Sequence, residues 1–210
     1  MANINRIKST GSNRPDEKSD ESTGLVSGVK RFFHVGDDEK ITTLEQLFVE
    51  QLKDLYSAEN QLIEALPKMA AAAFAPPLKK GFQTHLKETK EHARRLERIL
   101  KGLGEDAEGK TCQAMKGLVK EGSETISEDA SKEVKDAALI AAAQRVEHYE
   151  IAGYGCVRTY AGLLGRKKDA QVLGMTLKEE AATDKKLTAA AATLNLKVDK
   201  TPAKKTERKS

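Results

Sequence analysis

Four segments of this chain repeat their apolar residues at helical spacing, and they fall into two closely joined pairs separated by a long irregular stretch. A helix that buries one face recurs its apolar residues every three or four positions. Leu44, Leu47, Phe48, Leu55, Leu62, Ile63, Leu66 and Met69 obey that rule. Ahead of them, Thr42 or Thr43 followed three residues later by Glu45 or Gln46 forms a candidate capping box. Pro67 is expected to kink the last turns, and Pro76 and Pro77 to end the segment. Phe82, Leu86, Leu96 and Ile99 predict a second helix from about Leu78 to Leu100, stopped by Gly102 and Gly104. A third spans about Glu133 to Leu164 and a fourth about Lys168 to Leu194, with Gly165 and Arg166 between them. Residues 105–132 contain one short helical piece around Met115 to Ile126. Tight loops make each pair antiparallel neighbours, and the long linker predicts an all-α four-helix bundle with one long crossover.

Composition agrees with helix. Alanine and leucine supply most of the apolar content, charged residues make up 32%, and aromatic residues only 4%; Ala, Leu, Glu, Lys and Arg lose least on entering a helix. Residues 1–40, rich in Ser, Gly, Asn, Asp and Lys, read as a disordered arm. Within the arm, Val29, Phe32 and Phe33 form a small patch able to dock on the bundle or a partner. Residues 41–196 hold the bundle, and 197–210 a basic tail, disordered on the same grounds. In that tail Lys197, Lys200, Lys204, Lys205, Arg208 and Lys209 face Asp199 and Glu207, which accounts for the whole chain's net charge of +4. Such a tail can touch nucleic acid or acidic surfaces, or can simply aid solubility. Cys112 and Cys156 make neither a disulfide framework nor a zinc pattern. With no apolar run suited to a signal peptide or a membrane span, a cytoplasmic protein is expected.

The apolar stripes are interrupted by charge. Glu59 sits between Leu55 and Leu62; His85 and His92 align with Leu78, Leu96 and Ile99, with Glu88 at the stripe's edge. Glu147 lies between Ile140 and Tyr154, with Glu150 a turn on, and Glu180 and Asp184 interrupt Leu173, Leu177, Leu187 and Leu194. A buried ionised carboxylate is costly unless it is paired or binds a metal. All four long helices carry one, at matching depths if the two loops lie at opposite ends of the bundle. Converging carboxylates need cations, and Arg158 is a candidate partner. Two divalent ions are the simplest answer, and oxygen donors with a little imidazole suit iron or manganese. The competing reading is a buried network of protonated acids and His–Glu pairs. The candidate metal ligands are Glu59, Glu88, His92, Glu147, Glu150, Glu180 and Asp184. His85 reads either as a ligand or as a core residue behind one. Glu91 and His148 point away from their stripes. Tyr154, on the inner face, is either core with its hydroxyl bonded or an electron relay.

Several stretches carry a family likeness: LKDLYSAENQLIEALPKM at 52–69, FQTHLKETKEHARRLE at 82–97, KTCQAMKGLVKEGSE at 110–124, AAAQRVEHYEIAGYG at 141–155 and LKEEAATDKKLT at 177–188. With them the chain resembles the YciE/YciF family of bacterial ferritin-like stress proteins over roughly 42–196. The resemblance implies a ferritin-like four-helix bundle with a di-metal site, often a homodimer, linked to bacterial stress responses. Carried onto this sequence, that site falls on Glu59, Glu88, Glu147, Glu150 and Glu180, completed by His92 and Asp184. The wider ferritin-like pattern has Glu-x-x-His on two helices. Here Glu88 and His92 are four apart, Glu91 takes the histidine's place, and Glu180 is followed by Thr183 and Asp184. The expected function is a di-iron or di-manganese protein that reacts with peroxide or oxygen. The alternative is a non-enzymatic metal-buffering or structural stress protein whose tails bind DNA or a partner. Storage of iron in a cage is a weaker third reading.

Overall fold

The computed structural model describes residues 40–198. Expectations for the N-terminal arm, with Val29, Phe32 and Phe33, and for the tail beyond residue 198 lie outside the described residues. Among the described residues there are five helices and no strand: α1 (Leu44–Ala72), α2 (Pro76–Leu103), α3 (Gln113–Ser127), α4 (Lys132–Leu163) and α5 (Lys167–Val198). The four long ones form the bundle; α3 belongs to the crossover.

Local chemistry fixes the ends. At the start of α1 the Thr43 hydroxyl accepts from Gln46 N–H, and Gln46 Oε1 accepts from Thr43 N–H, both at 3.1 Å, a reciprocal capping box. The helix passes Pro67 and ends at Ala72. Pro76 and Pro77 do more than end it: they are the first residues of α2, two positions earlier than expected. A first-turn proline gives up an N–H that has no helical partner anyway. The loop between them is tied down by Asp136, whose carboxylate accepts from Phe74 N–H at 2.8 Å and Ala75 N–H at 2.7 Å. Gly104 (φ 78°) and Gly165 (φ 72°) take left-handed conformations after α2 and α4, where a side chain would strain the backbone.

The crossover is pinned along α1. Lys53 pairs with Glu105 at 2.8 Å and Lys110 with Glu50 at 2.7 Å. Cys112 N–H donates to Ser57 Oγ at 2.9 Å, and Gln61 Nε2 donates to the Cys112 carbonyl at 3.1 Å. Helix α3 then lies over α1 and α4, anchored by fully buried Met115. Its last carbonyls, of Thr125 and Ile126, accept from buried Lys135 Nζ at 2.8 Å each. The linker thus travels from one end of the bundle to the other, and the α1–α2 and α4–α5 loops lie at opposite ends.

The apolar core is divided in two. One cluster holds Leu62, Leu66, Leu78, Phe82, Leu139 and Ile140; the other holds Phe48, Leu52, Leu55, Leu96, Val157 and Leu173. Between them is a layer of buried polar residues: Glu59, His85, Thr89, His92, Glu147, Glu150, Glu180 and Thr183. Next to this layer α4 runs against α1 closely enough that a Cβ on Gly153 would come within 2.8 Å of Leu55 Cδ2.

Candidate metal centre

Each long helix delivers its polar residues to this layer because they occupy its inward stripe. Glu59 comes from α1, His85 and His92 from α2 two turns apart, Glu147 and Glu150 from α4 one turn apart, and Glu180 from α5. Two groups result. His85, Glu147, Glu150 and Glu180 each offer a donor atom within 4.8 Å of the others, and so do Glu59, His92 and Glu180. Glu180 belongs to both, one oxygen toward each: Oε1 lies 2.7 Å from His92 Nδ1 and Oε2 lies 3.7 Å from His85 Nε2. His85 Nε2 is also 3.2 Å from Glu147 Oε1, and His92 Nδ1 is 3.5 Å from Glu59 Oε1.

These contacts are close but poorly aligned. Among the described residues, nine buried side-chain nitrogen and oxygen atoms have no hydrogen-bond partner. Eight belong to Glu59, His85, His92, Glu147, Glu150 and Glu180; the ninth is Thr89 Oγ1. Buried polar atoms are normally satisfied; outside this layer, for example, Asp136 accepts from two backbone N–H groups and Lys135 donates to backbone carbonyls. The orphaned atoms fit a cation. Four carboxylates carry four negative charges, which two divalent ions balance with both imidazoles neutral. Oxygen donors with two nitrogens and no thiolate suit iron or manganese.

Protons take up that role in the chain alone. Burial pushes the Glu150 carboxyl well above its ordinary value, and the charges of Glu59, Glu180 and Glu147 add to it. Burial lifts Glu147 to about 9 against the pull of His85, and raises Glu59 against the pull of His92. Burial alone would lower both imidazoles. The neighbouring carboxylates prevail and hold His85 at about 9 and His92 at about 10.

A surrounding set of side chains holds the donors in place. Tyr154, fully buried, donates its hydroxyl hydrogen bond to Glu59 Oε1. His92 Nε2 meets Glu179 Oε2 at 2.9 Å, and Arg95 grips both Glu179 oxygens, at 2.5 and 3.2 Å. This chain fixes the ring so that Nδ1 faces the layer. His85 Nδ1 is 3.4 Å from both Glu88 Oε2 and Thr183 Oγ1.

Of the expected ligands, the structure brings together Glu59, His92, Glu147, Glu150 and Glu180. It does not bring Glu88 or Asp184 into either group. Glu88 is half-buried behind His85, on its outer nitrogen, because its position lies at the edge of the α2 stripe. Asp184 faces the outer α4–α5 seam, 3.1 Å from Gln144 Nε2 and 3.3 Å from exposed His148. His85 stands where Glu88 was expected; its place on the stripe was the available signal. Arg158 is exposed and lies against Gly174 instead of the acids. Glu91 is on the surface, paired with Arg94 and Arg98. Glu179 and Arg95 were not anticipated, since their role depends on a contact between α2 and α5 that spacing along one helix does not reveal. Both cysteines are free, Cys112 buried and Cys156 exposed. Among the described residues no helix is long and apolar enough to cross a membrane.

Two helix pairs joined by a long crossover, with carboxylates and imidazoles across the middle, define a ferritin-like bundle with a candidate metal centre. Comparison with known proteins narrows the class. The family described as Domain of unknown function (DUF892) matches residues 43–198, and the chain belongs to it. Protein YciF of Escherichia coli (strain K12) is 46% identical over 147 residues, spanning 70% of this chain and 89% of that protein. The crystal structure of the E. coli stress protein YciF superposes with a TM-score of 0.72 at 44% identity, covering 75% of this chain and 99% of its own. YcfI of Rhodopseudomonas palustris superposes with a TM-score of 0.69 at 43% identity, covering 72% of this chain and 96% of its own. A Xanthomonas campestris protein, 20% identical with a TM-score of 0.60 over 76% of this chain and all of its own, shares the fold.

Proposed function

We propose that this protein holds two divalent ions, iron or manganese, in the polar layer and serves in a stress response by reacting with peroxide or oxygen. His85, Glu147 and Glu150 would hold one ion and Glu59 and His92 the other, with Glu180 common to the two groups. The observation that carries the reading is the convergence of eight unpartnered buried atoms on six residues. A bound pair of redox metals would supply electron exchange with a small oxidant. The chain's own residues do the rest. Glu179 and Arg95 keep His92 turned toward the layer, and Tyr154 holds Glu59 by its hydroxyl. The apolar cluster around Phe48, Leu96 and Leu173 keeps bulk water from one side of the layer.

The test is peroxide consumption by manganese-loaded and iron-loaded protein against the Glu147→Gln variant carrying the same metal. Faster consumption by the parent supports the reading. Equal rates remove the reaction and leave a protein that only holds metal. The reading includes a homodimer, for which exposed Phe74, Leu163 and Met175 are candidate contacts. Light scattering that gives a monomer would remove that part alone.

A further inference from the structure

A cavity of about 400 Å³ opens between α1, α2, α4 and α5. Leu62, Leu66, Met69, Phe82, Val146 and Leu187 make its walls apolar. Buried His85, Glu147 and Thr183 also line it, so its inner end reaches the candidate metal centre. Exposed Lys80, Gly81 and Lys186 line it too and mark the mouth. The volume falls in the range of small-molecule sites, about 300–1,000 Å³, which are mostly apolar with a few placed polar groups.

The lining restricts the ligand. Apolar walls favour a hydrocarbon chain, because burying it removes apolar surface from water. The volume suits one chain and not the pair carried by a diacyl lipid. Two ammonium groups at the mouth favour an anionic head; of the two acids on the lining, Glu88 is engaged by His85 and Glu147 sits at the inner end. The carboxylates at the inner end repel an anion, so the head stays outside and the chain points inward.

We propose that this cavity binds a free single-chain aliphatic carboxylate, with its head on Lys80 and Lys186 and its chain running to His85 and Glu147. Occupied in this way, it closes one route from solvent to the polar layer. The proposal goes beyond the metal reading and does not require an ion to be present.

Calorimetric titration of sodium decanoate, below its micelle concentration, into the full chain tests it. Saturable binding of about one decanoate per chain is expected. Gly81 provides a variant that fills the mouth: a Cβ there meets nothing within 4 Å, and leucine is the better helix former. Gly81→Leu is expected to keep the unfolding temperature and weaken decanoate binding at least about tenfold. Ala190→Leu, on the same lining, gives the same loss should Gly81→Leu not fold. The double variant Lys80→Glu, Lys186→Glu should weaken decanoate while leaving decanol unaffected. Absence of saturable binding to the parent overturns the proposal. So does parent-like affinity in folded Gly81→Leu and Ala190→Leu, or binding only to anionic phospholipid vesicles. Metal analysis of the same samples reports on the metal centre separately.

Discussion

His92 shows how much one side chain's role depends on what lies behind it. Its Nδ1 faces Glu180 and Glu59, while its Nε2 is taken by Glu179, itself clamped by Arg95. Removing such a support lets the ring turn and typically costs about 10–100-fold in metal affinity. Glu179→Gln is therefore expected to lower manganese affinity about tenfold, read by competition with a chelator. Glu150 makes the opposite point. Both its oxygens are buried and unpartnered, so in the metal-free chain it is a liability. Glu150→Gln should raise the metal-free unfolding temperature, by about 1 kcal/mol of stability, while lowering metal content. A fall in that temperature would mean the carboxyl has a partner in solution. The inward positions of Glu59, His92, Glu147, Glu150 and Glu180 were legible because a helix repeats every 3.6 residues. Glu88 and Asp184 lie outside both groups because the edge of a stripe differs from its centre by one residue's rotation. Glu179 was illegible because only packing between α2 and α5 gives it a role.

Among the elements, the α1–α4 contact sets the tightest steric limit near the layer. Glycine inside a helix is unfavourable, yet Gly153 lies within α4, with Leu55 filling the space its side chain would take. Gly153→Val is expected to cost about 1–3 kcal/mol through overpacking, measured by denaturant unfolding. Leu55→Ala in the same chain should recover part of that loss, a coupling that independent sites do not show. Helix extents could be read from periodicity and caps, down to the Thr43–Gln46 box. The start of α2 could not, because Pro76 and Pro77 look alike whether they end one helix or open the next. Nor could the anchoring of that loop by Asp136, 61 and 62 residues beyond the two amides it accepts from. The crossover was visible as length alone; its course depends on Lys53, Lys110 and Ser57 meeting partners far along the chain.

For the whole molecule, a polar layer between two apolar clusters makes stability depend on what neutralises the layer. In the metal-free chain protons do so. His85 and His92 rise from 6.5 to about 9 and about 10, and Glu147 from 4.5 to about 9, so each binds a proton more tightly folded than unfolded. Their contribution is whole below the unfolded values and is lost as pH rises through the folded ones. The metal-free unfolding temperature is expected to fall as pH rises from about 7 to about 10, while manganese-loaded protein should fall much less. Loading should also release protons, measurable in weakly buffered solution. A metal-free profile that is flat or rises over this range would contradict the assignment. Glu180 belongs to both donor groups, so on the proposed reading its loss empties both, and the number of ions held per chain is the decisive measurement. Elemental analysis of manganese-loaded parent should give about two ions per chain, and Glu180→Ala, with helicity retained, should lose both. A Glu180→Ala protein that keeps the parent's count would place the ions away from the Glu180 layer.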